Sequence, residues 1–100
     1  MSELCFSLLC PARLEEKLLD SLLVLPGIQL LISTPAAAYG MQGVTLNARE
    51  QVMGHALMTL VQVLLPIHGK QAMLALLQQE FAGAGLHYWI SPVVETGEIL

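Results

Sequence analysis

Charge is what this chain has least of. Only 12% of its 100 residues are Asp, Glu, Lys or Arg, about half the roughly 25% of an ordinary soluble domain. The cations are Arg13, Lys17, Arg49 and Lys70, and the net charge is −4. Cations so few and so scattered make no basic stripe, so a nucleic-acid partner is excluded. Long apolar runs are missing as well. The longest uncharged stretch, residues 21–48, is interrupted by Pro26, Gly27, Gln29, Ser33, Thr34 and Pro35, whereas a bilayer-spanning helix needs about 20 consecutive apolar residues. Direct membrane insertion is not expected. The amino-terminal apolar run carries Glu3 and stops at Pro11, unlike a secretory signal with its basic leader. The two cysteines are then expected as reduced thiols in a cytoplasmic protein.

What is present in quantity is hydrophobic surface, 55% of residues. A chain of this length forms one domain, residues 1–100, and hides only about two thirds of its unfolded surface. A lone monomer has no room inside for so many apolar side chains, so an oligomer is expected.

Residues 4–9 read as a strand apolar on both faces, because neither alternating set, Leu4/Phe6/Leu8 or Cys5/Ser7/Leu9, is strongly polar. Cys10-Pro11 ends it. Leu14, Leu18, Leu19 and Leu22 then recur at helical spacing opposite Arg13, Glu16, Lys17 and Asp20, and Pro26-Gly27 closes this amphipathic helix. Residues 28–34 form a second β-rich run before Pro35. Residues 40–50 have glycines at 40 and 43 and no apolar period, which predicts an exposed loop. The longest strand candidate covers residues 52–65 and stops at Pro66. Leu74, Leu77 and Phe81 face Lys70, Gln71, Gln78 and Gln79 on a second helix, with His68 at its start, and residues 86–93 make the last strand.

The order β-α-β-β-α-β is that of an α+β ferredoxin-like fold. Both helices then lie on one side, and the other sheet face should be polar if it meets water. Yet in the third strand Met53, His55, Leu57, Thr59, Val61 and Val63 alternate with Ala56, Met58, Leu60, Gln62 and Leu64, both sets largely apolar. Such a face needs a second layer. Neighbouring subunits are expected to supply it.

Several segments together carry a resemblance: Cys10-Pro11, Leu14-Glu15-Glu16-Lys17-Leu18, Glu50-Gln51-Val52, Gln62-Val63-Leu64-Leu65-Pro66, Gly85-Leu86-His87-Tyr88-Trp89, and the closing Thr96-Gly97-Glu98. In this order the chain resembles the PII-like signalling proteins, in particular an uncharacterised bacterial family of small PII-like domains often associated with heavy-metal efflux systems. The resemblance implies a homotrimer whose sheets face the axis, with a long loop over residues 39–54 and small-effector sites in intersubunit clefts. Carried onto this sequence, the effector-binding candidates are Gly40, Gln51, Gly83, Gly85, Thr96, Gly97 and Glu98. Tyr39, Met41, Arg49 and Glu50 are the loop candidates for docking a protein target, a membrane transporter or another protein.

The chain departs from the nucleotide-binding members where charge matters. A lysine follows their glycine turn and arginines precede their threonine-glycine-glutamate, but here Leu86 follows Gly85, and Val93, Val94 and Glu95 precede Thr96. A triphosphate needs several cations. ATP is therefore not the expected effector, and the sequence names no other cofactor in its place.

Metal binding is the rival reading, since three histidines, two cysteines and five methionines offer borderline and soft donors. Cys5 and Cys10, five apart on one strand, fall on opposite faces and cannot chelate a single ion within one subunit. His55 with His87, across neighbouring strands or subunits, is the candidate pair. Met53, Met58 and Met73 are expected to pack in the core, and Met41 lies with Tyr39 in the loop. No nucleophile with an identifiable base appears, Glu15 and Glu16 belong to a charged helix flank, and Glu50 and Glu98 read as solvated acids. The chain is expected not to be an enzyme.

Overall fold

A computed structural model describes residues 3–40 and 46–100. Strand β1 (Glu3–Pro11) leads through a 3₁₀ turn at Ala12–Leu14 into helix α1 (Glu15–Leu23). Strand β2 (Leu30–Ala38), helix α2 (Ala48–Met53) and strand β3 (Ala56–Pro66) follow. A second 3₁₀ turn, Ile67–Gly69, contains His68 and opens helix α3 (Lys70–Phe81), and strand β4 (His87–Val93) completes the set. The four strands form one antiparallel sheet in the order β2-β3-β1-β4. The expected α+β order is present, with one short helix added.

Register decides which residues share a face, because directly opposed residues in an antiparallel pair point the same way. Phe6 lies opposite Val63 and Ile90, and Leu8 opposite Val61 and Tyr88. This face carries the core: Leu4, Phe6, Leu8, Cys10, Val61, Val63 and Leu65 pack with Leu18 and Leu22 of α1 and Met73, Leu77 and Phe81 of α3. Each such apolar side chain, once fully buried, contributes about 1.5–3 kcal/mol. The two helices are also linked directly, as Ser21 Oγ donates to Glu80 Oε1 at 2.7 Å and Lys17 Nζ sits 5.2 Å from the Phe81 ring centroid. Met73 is buried here, as its place in the helical pattern predicts; Met58 is buried too but belongs by register to the opposite face, and Met53, also expected in the core, is only half-buried.

The opposite face runs through Cys5, Ser7 and Leu9 of β1, Leu60, Gln62 and Leu64 of β3, Leu30 and Ile32 of β2, and Trp89 of β4. Helices α1 and α3 pack on the other face, although Ser7 and Met58 on this one are buried. Leu30, Ile32 and Trp89 are 53%, 45% and 49% exposed, and a shallow hollow of about 190 Å³ lies over Leu30, Ile32 and Leu64. The sheet is thus apolar on the side that the two helices do not protect.

β1 continues through Cys10-Pro11, which were expected to end it, and β2 starts at Leu30 rather than at residue 28; two larger differences each have a nameable reason. Strand β2 continues past Pro35 to Ala38. It is an edge strand, where a residue without an N–H costs little. Strand β3 begins at Ala56 rather than at residue 52, because residues 48–53 are helical. Asn47 and Glu50 form a capping box over that helix, and Gly54, at φ 78°, ends it in the left-handed conformation that a side chain disfavours. Met53 and His55 therefore do not belong to the alternation of β3. No helix of the described residues is long and apolar enough to cross a membrane.

Candidate functional site

At the end of the sheet where β1 finishes and β3 starts, four segments distant in sequence surround a cavity of about 410 Å³. One wall is Pro11, Ala12 and Arg13, where β1 passes into its 3₁₀ turn. Another is Asn47 and Glu50, at the returning base of the long loop. Leu57 and Met58 contribute the floor, and Gly83, Ala84 and Gly85 close the fourth side. Gly83 and Gly85 have φ of 75° and 88°, so the tight turn depends on their lacking a side chain. A Cβ on Gly85 would stand 3.5 Å from Pro11 Cγ, which shows how closely the turn approaches the end of β1.

Glu50 organises the loop base. Its Oε1 accepts from the Asn47 N–H at 3.0 Å, its Oε2 from the Leu57 N–H at 2.6 Å, and its own N–H donates to Asn47 Oδ1 at 2.8 Å. One carboxylate thus ties α2 to the first residues of β3. The N–H of Leu57, then that of Asn47, hold the Glu50 carboxyl below its ordinary value of 4.5; loss of hydration opposes them, and the His55 ring lowers the value least of all. Glu50 is open to solvent, as a solvated acid should be, and it is also the hydrogen-bonded anchor of the loop base.

The other leg of the loop meets the same base. Tyr39, just beyond β2, packs against His55 in a tilted arrangement with ring centroids 5.0 Å apart and planes at 46°, and His55 Nδ1 donates to the Met53 carbonyl at 3.2 Å. Gln51 Nε2 donates to the Leu46 carbonyl at 3.1 Å, so its side chain is spent on the loop itself. Arg49 is exposed on α2. Met41 lies outside the described residues.

Of the effector-binding candidates, Gly83 and Gly85 line the cavity, while Gly40 and Gln51 do not. Thr96, Gly97 and Glu98 are exposed beyond β4. Val93, where that strand ends, lies opposite Glu3, the full length of β1 from Pro11, which is about 27 Å. One chain does not bring this terminal motif to the glycine turn.

His55 and His87 are not on neighbouring strands. β1 separates β3 from β4, and His87 is in register with Leu9 and through it with Leu60, five residues along from His55, so about 10 Å across the sheet combines with about 17 Å along it, too far for both rings of one chain to hold one ion. Among the described residues no group of three or more His, Cys, Asp or Glu stands together as a metal site. Cys5 and Cys10 do face opposite ways: Cys5 is partly exposed on the uncovered face and Cys10 is fully buried under the helices. Burial first, and the Glu15 charge second, push the Cys10 thiol from 9.0 up to about 11, with Arg13 opposing.

Arg13, Asn47 and the end of β1 are cavity residues that sequence reasoning did not single out. A signal existed for one of them: Asn47 with Glu50 has the spacing of a capping box. Nothing local marks Arg13, which reads as one more charge on a helix flank.

Comparison with known proteins places this geometry. The family described as "protein of unknown function (DUF3240)" matches across residues 1–100. No curated protein matches. A DUF3240 family protein from Shewanella baltica OS155 has a similar structure, with a TM-score of 0.82 at 15% identity, covering 100% of this chain and 99% of that one. A Bacillus cereus protein related to NIF3 aligns with a TM-score of 0.72 at 10% identity over 97% of this chain but only 26% of its own. A putative PII-like signalling protein from Thermus thermophilus aligns with a TM-score of 0.63 at 16% identity over 91% of this chain and 89% of that one. At these identities the likeness is one of fold.

Proposed function

The chain belongs to the DUF3240 family, and on that premise we propose that it is a small, non-enzymatic PII-like regulatory or adaptor protein that senses an effector and docks a protein target through its 39–54 loop. The observation that carries this reading is the cavity. Asn47 and Glu50 are at once part of its wall and the anchor of the loop base. An occupant of the cavity therefore touches the groups that hold α2 in place, and binding energy passes into loop order. The fold shared with a putative PII-like signalling protein supports the same reading.

The working unit is a homotrimer in the cytoplasm. Its support is the uncovered sheet face, where Leu30, Ile32 and Trp89 stand half exposed, an unusual state for a sheet without a second layer. In such an assembly the Thr96, Gly97 and Glu98 tail of a neighbour completes the cleft that one chain leaves open. Service to a heavy-metal efflux system enters only through the choice of target. A metal site would need His55 or His87 joined by ligands of another subunit.

Native mass spectrometry of protein purified without added ligand reads subunit count and any retained mass together. A trimer is expected, and a stable monomer would sink the shared-cleft part of the proposal. Limited trypsinolysis at Arg49, exposed on α2, tests the loop. An effector that fills the cavity should slow that cleavage, and cleavage indifferent to every bound compound would refute the coupling.

A further inference from the structure

The cavity's charges define the class of molecule it would take. Among the described residues of the lining, Arg13 is the only cation and Glu50 the only anion. A triphosphate would meet one guanidinium and one opposing carboxylate, an unfavourable balance. A bare carboxylate would be attracted by Arg13 and repelled by Glu50. An amine would meet the reverse.

Glu50 is well suited to receive a cation. Each of its oxygens already accepts one backbone N–H, yet a carboxylate offers about four lone-pair sites, so capacity remains toward the cavity. The same backbone bonds keep it ionised at neutral pH. Arg13 is exposed at the mouth, with a planar fork that matches a carboxylate in a bidentate pair. The rest of the lining has uncharged side chains, those of Pro11, Ala12, Leu57 and Met58 among them, and it exposes polar and apolar surface in nearly equal parts. The volume, about 410 Å³, is at the small end of ligand sites, which run from about 300 to 1,000 Å³.

We propose that the cavity binds a small zwitterion, a free amino acid, with its carboxylate on Arg13 and its ammonium toward Glu50. This rests on the reading of the cavity as the effector site and adds the effector's class. A third charge on the ligand would find no partner among the described lining residues.

The test is isothermal titration of the full chain with glycine, L-leucine and 5-aminovalerate, beside acetate, isobutylamine and ATP as probes of each half and of the rival class. At least one amino acid should bind, about tenfold or more tighter than acetate or isobutylamine, because each of those forfeits a charge-assisted contact worth at least a factor of ten. Arg13→Gln should weaken that binding by about tenfold or more, and Lys70→Gln, outside the cavity, should leave it unchanged. Circular dichroism confirms that both variants fold. Binding of acetate or ATP as tight as any amino acid, and dependent on Arg13, would overturn the zwitterion class while leaving the cavity as an effector site. Amino-acid binding untouched by Arg13→Gln would overturn the assigned pose. No binding by any of the six probes would overturn the class, and trypsinolysis at Arg49 during a wider metabolite screen separately decides whether the cavity senses anything.

Discussion

Replacing Asn47 by alanine should loosen helix α2 without loosening the sheet. The helix has six residues, far below the ~12–15 at which an isolated helix becomes even marginal in water. It stands because its ends are tied. Asn47 Oδ1 accepts the Glu50 N–H at 2.8 Å, and the Glu50 side chain answers through the Asn47 N–H. Losing an N-cap side chain costs about 0.5–2 kcal/mol. Spread over a whole domain that would be a modest loss, but local opening of a single short helix involves only a fraction of the global stability. A loss of about 1–2 kcal/mol there raises the open population about 5- to 30-fold.

Native-state hydrogen exchange reads this residue by residue. The amides of Gln51 and Gly54 donate to the Asn47 and Glu50 carbonyls at 2.9 and 2.7 Å, so they report α2 opening directly. In Asn47→Ala both should exchange about 5- to 30-fold faster, while the amides of Phe6 and Val61, in the core strands, keep their rates. Unchanged exchange at Gln51 and Gly54 would refute the claim that the capping box holds the helix. An equal acceleration at Phe6 would refute the claim that the loop base opens independently, and with it the route from cavity to loop.

Three further outcomes follow from the same geometry. Glu50 has a carboxyl held below 4.5, so its contribution to stability is complete above that value and is lost as pH falls through the lower folded value; the Gln51 and Gly54 amides, followed by hydrogen exchange with intrinsic rates corrected for pH, should lose protection there before the core does. Cys10 has the opposite sense: its thiol pKa is raised to about 11 from 9.0, so its neutral-state contribution is whole below pH 9 and declines as pH climbs toward 11. Iodoacetamide at pH 8 should give a single adduct, on Cys5, because Cys10 is buried and holds only about one thiolate per thousand molecules at that pH, and a double adduct in the native protein would contradict this. Phe6→Ala, at a site with 0% exposure, should cost about 3–5 kcal/mol in urea denaturation, and a loss below about 1 kcal/mol would show that Phe6 is not central to the core.

Legibility in the sequence follows the range of the interaction. Helix α1 is readable because Leu14, Leu18 and Leu22 repeat on one face, and two of them are fully buried. The stretch 48–53 reads as loop because it has no apolar period to detect, and its helix is held by a cap and by the Leu57 N–H instead. Pro35 looks like a strand end until its place on the sheet edge is known. The anchoring role of Glu50 escapes a linear reading for a similar reason: the partner that fixes it is a backbone N–H seven residues away, which carries no side-chain signature.

From the sequence alone come the order of strands and helices, the apolar character of both sheet faces, and the poverty of cations that disfavours a phosphate-rich ligand. These are properties of composition and short-range period, and a linear reading contains them. Only the tertiary structure decides that β1 lies between β3 and β4, parting His55 from His87. Only it brings Arg13, Asn47, Glu50 and the Gly83–Gly85 turn around one cavity. A cavity is the space left between segments far apart in the chain, and its charge balance exists only after strand pairing has closed them together.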